Sequence, residues 1–462
     1  MEKTNNNESY SKLNCSSYGL GAFLQQFFRM AFTSLGFHFY EVVMGLEPWL
    51  TALGYAIFAV WNAINDPLIG FLVNRPFRFT KKWGRFFPWL LIGGIPWILN
   101  YILIYIPPTG GEFSSSLFLF LWLIFTTCLF DTFNSLFFIN FQAQFPNKYR
   151  TNKVRRSASG IVTVIGTLGI AVGALIPPLL ISYENPESYI LQSIIVTIIG
   201  AFFFVLGIFG WREDQTQIDE YLKTYEEKKR KTSYLKSLKT ALKTQSFLAF
   251  LALYGFWQMV TYCIQTSVPY VVDFILQKRS LFQTLLQAAF LVGGLISIPF
   301  WIKYSHRVNN NKKTMLLGSS IMAVFTVSLS FFPNLILLFI QTALWGVGLG
   351  AVWIMLKPIM ADIIDQSVVN TEIREEGVFY GIYPFFARMG LLMQAIIFGV
   401  IHSITGFAED PTSTASLWGI RLHNGLVPVI FLIIGMIIFW KYYKLTPEKV
   451  SKNQEILKGL GL

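Results

Sequence analysis

Twelve times along the chain an apolar run reaches the length of a membrane-crossing helix, about 20 residues. The runs fall at about 19–41, 48–74, 87–107, 115–143, 158–182, 189–211, 246–275, 283–304, 313–333, 335–361, 377–403 and 421–443. A soluble fold cannot hide so many segments that are apolar on every face. The charge content agrees: 13% of the 462 residues are charged and 53% are hydrophobic, against roughly 25% charged in soluble domains. Disorder is excluded by the same balance, and mean hydropathy is +0.50. The sequence therefore predicts an all-α, multi-pass integral membrane protein of the cell membrane with twelve transmembrane helices. The first eighteen residues are polar, which predicts no cleavable leader.

An even number of spans puts both termini on one side, and the distribution of Lys and Arg selects the side. Most of the 37 Lys and Arg fall on the tails and on the connections after spans 2, 4, 6, 8 and 10. The opposite connections carry Lys278 and Arg279 with Glu41, Glu47, Glu112, Glu184, Glu187, Glu409 and Asp410. Both termini are expected in the cytoplasm. The longest polar stretch lies between spans 6 and 7, so three parts are expected: residues 1–211, a cytoplasmic linker at 212–245, and residues 246–462 with the tail. The connections after spans 2 and 8 are both basic, the latter through Lys303, Arg307, Lys312 and Lys313. Two six-helix halves with matching loops are the plan of the major facilitator fold, which binds its solute at the bilayer midplane between the halves.

Few ionisable residues remain inside the spans: Arg29, Asp66, Asp131, Asp273, Lys357 and Arg388. A charge in the bilayer interior costs several kcal/mol, so each needs a partner or water and is a functional candidate. Asp273 and Lys357 lie nearer the ends of their spans, where a long side chain reaches the surface. The other four carry two charges of each sign. Helical spacing groups them with amides: Gln26 with Arg29, Asn62 with Asp66 and Asp131 with Asn134 each share a helix face. Aromatic side chains at Trp61, Phe133, Trp353, Tyr380 and Tyr383 accompany them. Structural ion pairing is the alternative role for the charges. Cys15, Cys128 and Cys263 have no metal-ligand spacing, and His38, His306, His402 and His423 have no motif partner, so neither a structural metal nor an enzyme is expected.

The second span and the loop after it read Trp61-Asn-Ala-Ile-Asn-Asp-Pro-Leu-Ile-Gly70 and Trp83-Gly-Arg-Phe-Phe-Pro-Trp89. Tyr18-Gly-Leu-Gly-Ala22, Ala361-Asp-Ile-Ile-Asp365 and Arg374-Glu-Glu-Gly377 accompany them. From about residue 12 to 405 the chain resembles the glycoside–pentoside–hexuronide:cation symporters, the melibiose permease family. The resemblance implies a substrate site with Gln26, Asp131, Arg156 and Trp353, to which Arg29 is added from the residues themselves. It also implies cation coupling through Asn62, Asp66, Asp131 and Arg388, with the ion at Asp66 and Asp131. The chain departs from the pattern where an amide replaces a carboxylate, at Gln26 and Asn62. It departs again at Ala59 and Ser135, where the family has an arginine and a tryptophan, and Arg29 is an added cation.

The expected function is alternating-access transport of a sugar or glycoside, with a hexuronide among the candidates in view of Arg29 and Arg156, coupled to H+ or Na+. Three readings stay open beside it: an uncoupled facilitator in which Arg29 replaces the cation, a carrier of lysolipids like the family's animal relatives, and a non-transporting sensor. Arg75, Arg78, Lys81, Lys82 and Arg85 are expected to close the inner gate against Asp362, Asp365, Glu372, Glu375 and Glu376. No cofactor and no nucleic-acid partner are expected, and the chain is expected to act as a monomer in lipid.

Overall fold

The computed structural model describes residues 11–73, 77, 80–108, 115–149, 152–215, 218–219, 242–371 and 376–460. In chain order the helices are α1 Lys12–His38, α2 Pro48–Val73, α3 Thr80–Trp83, α4 Phe87–Tyr105, α5 Ser116–Lys148, α6 Asn152–Leu179 and α7 Pro186–Trp211. They continue as α8 Gln245–Tyr270, α9 Leu281–Val308, α10 Asn311–Ser328, α11 Leu335–Thr371, α12 Glu376–Thr405, α13 Thr414–Arg421, α14 Val427–Tyr442 and α15 Pro447–Leu460. Three π-helical turns interrupt this order: Phe39–Val43 after α1, Val271–Ile275 after α8 and Leu422–Leu426 between α13 and α14. Every one of the twelve expected spans falls on a helix, and nine helical segments among the described residues are long and apolar enough to cross a membrane.

Local chemistry fixes where helices begin. Ser11, Ser115, Asn185, Asn310 and Ser413 each accept a backbone N–H of the first turn that follows, satisfying a donor that has no partner within the helix. Pro186 follows Asn185 at the first helical position, where its missing N–H costs nothing. A turn at Phe332-Pro333-Asn334 separates α10 from α11, and Asn334 Oδ1 accepts the Leu337 N–H at 2.9 Å. Two boundaries exceed expectation. α11 runs on to Thr371, ten residues past the end of its apolar run, and at the start of this extension Asn311 Nδ2 donates to Asp362 at 2.8 Å. The polar tail forms α15, which buries Asn453 and Leu457.

The described chain packs as two compact units, one of residues 1–39 with 61–230 and one of residues 40–60 with 231–462. In the first, α1 packs along α6 and α7, and α4 along α5 and α7. The α1–α6 approach depends on Gly169 and Gly173, where a Cβ would stand 2.3 and 2.4 Å from the carbonyl oxygens of Phe23 and Phe27. In the second, α8 packs on α12 and α14, while α11 packs on α9 and α10.

Candidate functional site

In the first unit α2 and α5 are joined by a ladder of side-chain hydrogen bonds. Trp61 Nε1 donates to Thr132 Oγ1 at 3.0 Å. Asn62 Nδ2 and Asn65 Nδ2 donate to the two oxygens of Asp131, the latter at 3.0 Å. Ser135 Oγ donates to Asp66 Oδ1. The rungs follow from spacing: residues 61, 62, 65 and 66 share one face of α2, and 131, 132 and 135 one face of α5. Asp131 is only 2% exposed. A carboxylate so buried is tolerable because both oxygens receive donors. Next along these helices Ile69, Val73 and Leu136 form an apolar cluster with Trp89 of α4, and Phe133 packs against it.

One polar atom of the ladder has no partner. Asn62 gives its amide hydrogen to Asp131 and leaves its Oδ1 buried without a donor. Asn134 Oδ1 is buried and unpartnered in the same way. A buried oxygen beside a carboxylate is suited to a hard cation, which takes carboxylate, amide and hydroxyl oxygens as ligands. Asp66, Asp131, Asn62 and Ser135 together offer that donor set.

Gln26 and Arg29 share a face of α1 as their spacing predicts, and Arg29 donates from Nε and Nη2 to Gln26 Oε1 at 3.1 and 2.6 Å. Spacing groups this guanidinium with the amide, and ion pairing stood as the alternative; the structure gives it to the amide, which orients the group without neutralising it. Trp353, Lys357 and Arg388 belong to the second unit, with Trp353 and Arg388 half-buried and Lys357 exposed. Arg156 lies on α6, with its side chain outside the described residues.

The gating candidates divide. Arg75, Arg78, Glu372 and Glu375 lie outside the described residues, as does the Glu376 side chain. Arg85 sets its guanidinium carbon 4.8 Å above the Phe86 ring. Asp362 is taken by Asn311, and Asp365 is half-buried on the same helix.

Sequence reasoning missed three participants. Asn65 lies three residues after Asn62, a visible spacing whose partner is visible only in the fold. Ser135 stands where a tryptophan was expected and instead serves Asp66. Glu213, within the supposed linker, accepts the backbone N–H groups of Phe86 and Phe87 at 2.7 and 3.0 Å and so closes the start of α4. Its approach explains Gly84: the backbone there has φ +93°, and a Cβ would stand 2.3 Å from Glu213 Oε2.

A model of the MFS/sugar transport protein family matches residues 17–447. The chain is 23% identical to the sodium-dependent lysophosphatidylcholine symporter 1-A of Danio rerio, over 93% of this chain and 85% of that one. It is 21% identical to the sodium-dependent lysophosphatidylcholine symporter 1 of Mus musculus, over 90% and 83%. It is 23% identical to the uncharacterized symporter YnaJ of Bacillus subtilis, over 90% and 88%. Among solved structures it resembles the nucleoside transporter NupG, with TM-score 0.63, 12% identity, and coverage of 94% of this chain and 100% of that one. It also resembles a bacterial homologue of the lysosomal transporter Spinster, with TM-score 0.66, 13% identity, and coverage of 96% and 98%. These likenesses establish the major facilitator fold. The protein is a multi-pass membrane transporter of a small molecule rather than an enzyme, and the chain belongs to the MFS/sugar transport protein family.

Proposed function

We propose that this transporter is a sodium-coupled symporter of a solute with an anionic head. The observation that carries the coupling is the Asp131 ladder, with Asn62 Oδ1 left as an unpartnered buried acceptor beside two carboxylates. Sodium is the co-transported substrate in this reading. Asp131 and Asp66 supply charge, Asn62 and Ser135 supply neutral oxygens, and Asn65 holds Asp131 in place. The curated relatives named as sodium-dependent symporters support the same ion.

Arg29 supports the anionic head. Its guanidinium is oriented by Gln26 and keeps its charge, and a guanidinium recognises carboxylate and phosphate oxygens by paired hydrogen bonds. Two solutes share that chemistry. A hexuronide fits the resemblance to glycoside symporters, and a lysophospholipid fits the relatives from Danio rerio and Mus musculus. The solute crosses by alternating access, as in other secondary transporters of this fold.

Uptake into vesicles reconstituted with the purified protein tests both parts. A glucuronide, a lysophosphatidylcholine and a neutral glycoside are offered with an inward sodium gradient or with potassium in its place. The reading expects sodium-driven uptake of the glucuronide, through its carboxylate, or of the lysophosphatidylcholine, through the phosphate of its zwitterionic head, and loss of that uptake in Arg29→Gln. Uptake indifferent to sodium overturns the coupling, and equal uptake of the neutral glycoside overturns the role of Arg29.

A further inference from the structure

The second unit contains a buried polar chain that the sodium ladder does not involve. Glu41, 6% exposed, sits on the π-turn Phe39–Val43. Its Oε2 accepts from the hydroxyl of Tyr270, the last residue of α8 before the π-turn Val271–Ile275. Its Oε1 lies 2.7 Å from His402 Nδ1 on α12. His402 Nε2 lies 3.0 Å from His423 Nε2, on the π-turn Leu422–Leu426. His423 Nδ1 lies 2.7 Å from Ser267 Oγ on α8, and Ser267 donates to the Cys263 carbonyl at 2.6 Å. Both imidazoles are fully buried. Each of the three π-turns thus holds or adjoins a member of the chain, and π-turns are rare insertions that gather at functional positions.

Counting protons shows what the chain binds. A serine has one O–H, and Ser267 spends it on Cys263, so His423 Nδ1 must be the donor to Ser267 Oγ. A neutral His423 then has a bare Nε2, which requires N–H on His402 Nε2. His402 Nδ1 faces Glu41 Oε1, and that contact also needs a proton, on the carboxyl or on the ring. The fully bonded chain therefore holds one proton more than a carboxylate with two neutral imidazoles, and its net charge is zero. Removing that proton has a definite consequence. His402 keeps N–H only at Nδ1, His423 changes to its Nε2–H tautomer, and Ser267 turns from Cys263 to His423.

Other ionisable groups nearby do not supply the balance. Tyr270 is spent on Glu41. Arg421, two residues before His423, sends Nη1 to the Ser330 carbonyl at 2.8 Å and lies over Phe332. Asp410 accepts from Thr412, Glu409 is exposed in the loop after α12, and Asp273 is half-buried beyond Tyr270. The Cys263 side chain is buried one turn from Ser267, on the same helix. Aromatic rings close the remaining sides: Phe407 stacks on His402 at 4.2 Å between centroids, and Phe398 lies 4.0 Å from His423.

We propose that the Glu41–His402–His423 chain is a proton-binding site of this transporter, holding one exchangeable proton between the Glu41 carboxyl and the His402 imidazole. It is a second ion site, separate in position and chemistry from the sodium ladder, and it stands on the geometry of the second unit alone. The proton comes from water and returns to it, so no other reactant is involved.

Four histidines make the test direct. Full-length protein carrying ¹⁵N-histidine is placed in lipid bilayers, and imidazole nitrogens are followed by NMR from about pH 5 to 8, where an imidazole titrates. The two rings in contact identify themselves by a correlation between their Nε2 atoms, without any variant; His306, which is exposed and lies outside the Glu41–His402–His423 chain, serves as the reference signal. The expected result is a single one-proton step in which His423 exchanges Nδ1–H for Nε2–H while His402 loses its second N–H, and Glu41→Gln removes that step. Rings that keep one tautomer across the whole range overturn the proposal. Sodium-driven uptake is measured on the same preparation, so loss of sodium dependence with the histidine step intact counts only against the sodium reading. Persistent sodium-driven uptake with no histidine step counts only against the proton site.

Discussion

In the first unit a buried carboxylate, Asp131, is held by two amides from one neighbouring helix, α2. In the second, a buried carboxylate, Glu41, is held by a tyrosine and by a chain of two imidazoles from three separate elements. An amide has a single hydrogen pattern, so the first arrangement leaves an acceptor oxygen, which the proposed function gives to sodium. Imidazoles have two tautomers and a third protonated state, so the second rearranges by gaining or losing a proton. Burial is comparable in both. What separates a metal-cation site from a proton site is the chemistry of the partner groups.

The strongest way to break that comparison is to remove the charge of the first site. Asp131→Asn keeps the shape of the ladder and discards the carboxylate, and it is expected to reduce sodium-driven uptake by more than about 100-fold, since ion pairing of this kind is worth several kcal/mol. Asn65→Ala leaves the carboxylate but frees its orientation and is expected to weaken sodium binding by about 10- to 100-fold, the usual cost of losing a group that positions a ligand. Uptake measured against sodium concentration separates the two. If Asp131→Asn transports with unchanged sodium dependence, the ladder is structural.

The corresponding change in the second site is Glu41→Ala, whose expected effect is on stability. It removes the carboxylate that the Tyr270 hydroxyl and His402 Nδ1 bond, at about 1–3 kcal/mol for each lost bond to a buried group. A fall in the thermal unfolding midpoint of the purified protein measures it, and Tyr270→Phe, which orphans only one carboxylate oxygen, should fall by less. Equal midpoints for Glu41→Ala and the wild type would mean that water replaces the lost partners and that the chain is not sealed.

The two sites also differ in how much of them the sequence exposes. Asn62, Asp66 and Asp131 stand out because charge and amide in an apolar run are rare, and because i, i+3 and i, i+4 spacing names the face they share. The twelve spans are legible for the same reason, since lipid compels a long apolar run. The pairing is less legible. Spacing placed Asn134 on a face with Asp131, but beside Asp131 it is Thr132 and Ser135 that bond to α2, because the turn of α5 that faces α2 is set by packing. Glu41 and His402 lie 361 residues apart and share no motif, so nothing local marks them. Each histidine, taken singly, reads as an ordinary buried ring, and only the topology of the second unit makes them neighbours. Arg29 was legible as an exception, and its i, i+3 spacing named Gln26, the amide that the structure gives it.

Gly84 tests a third case, in which a legible motif depends on an illegible partner. Trp83-Gly84-Arg85 is part of the recognisable loop, while Glu213, which fills the space beside the glycine, lies in the polar stretch after α7. Gly84→Ala forces a left-handed backbone onto a residue with a Cβ and drives that Cβ into the carboxylate. The expected loss is about 1–3 kcal/mol from the backbone alone, read as a lower unfolding midpoint. Gly84→Ala combined with Glu213→Gln should lose no more than about the sum of the two singles if the residues act separately. A marked departure from that sum shows that the glycine exists for the glutamate.

Glu213 itself gives the smallest effect, a change of slope rather than of level. Burial raises its carboxyl above the ordinary glutamate range, and the N–H groups of Phe86 and Phe87 and the charge of Arg85 pull it part of the way back. Between the ordinary value and the raised one, the folded protein binds more protons at this position than the unfolded chain does. Stability varies with pH as the difference in bound protons, unfolded minus folded, so this group makes stability fall as pH rises through that window. Above the window the cost is constant. Glu213→Gln has no such proton to lose, and its unfolding midpoint should lack this component of the decline, measured from about pH 4 upward. Lys148 does not confuse the result. It caps the end of α7 by donating to the carbonyls of Gly210 and Arg212, and burial lowers its ammonium, but that change belongs to the alkaline side. If wild type and Glu213→Gln run parallel across the acidic range, the carboxylate is solvated in the protein, and its contact with the start of α4 is not the buried cap that Gly84 accommodates.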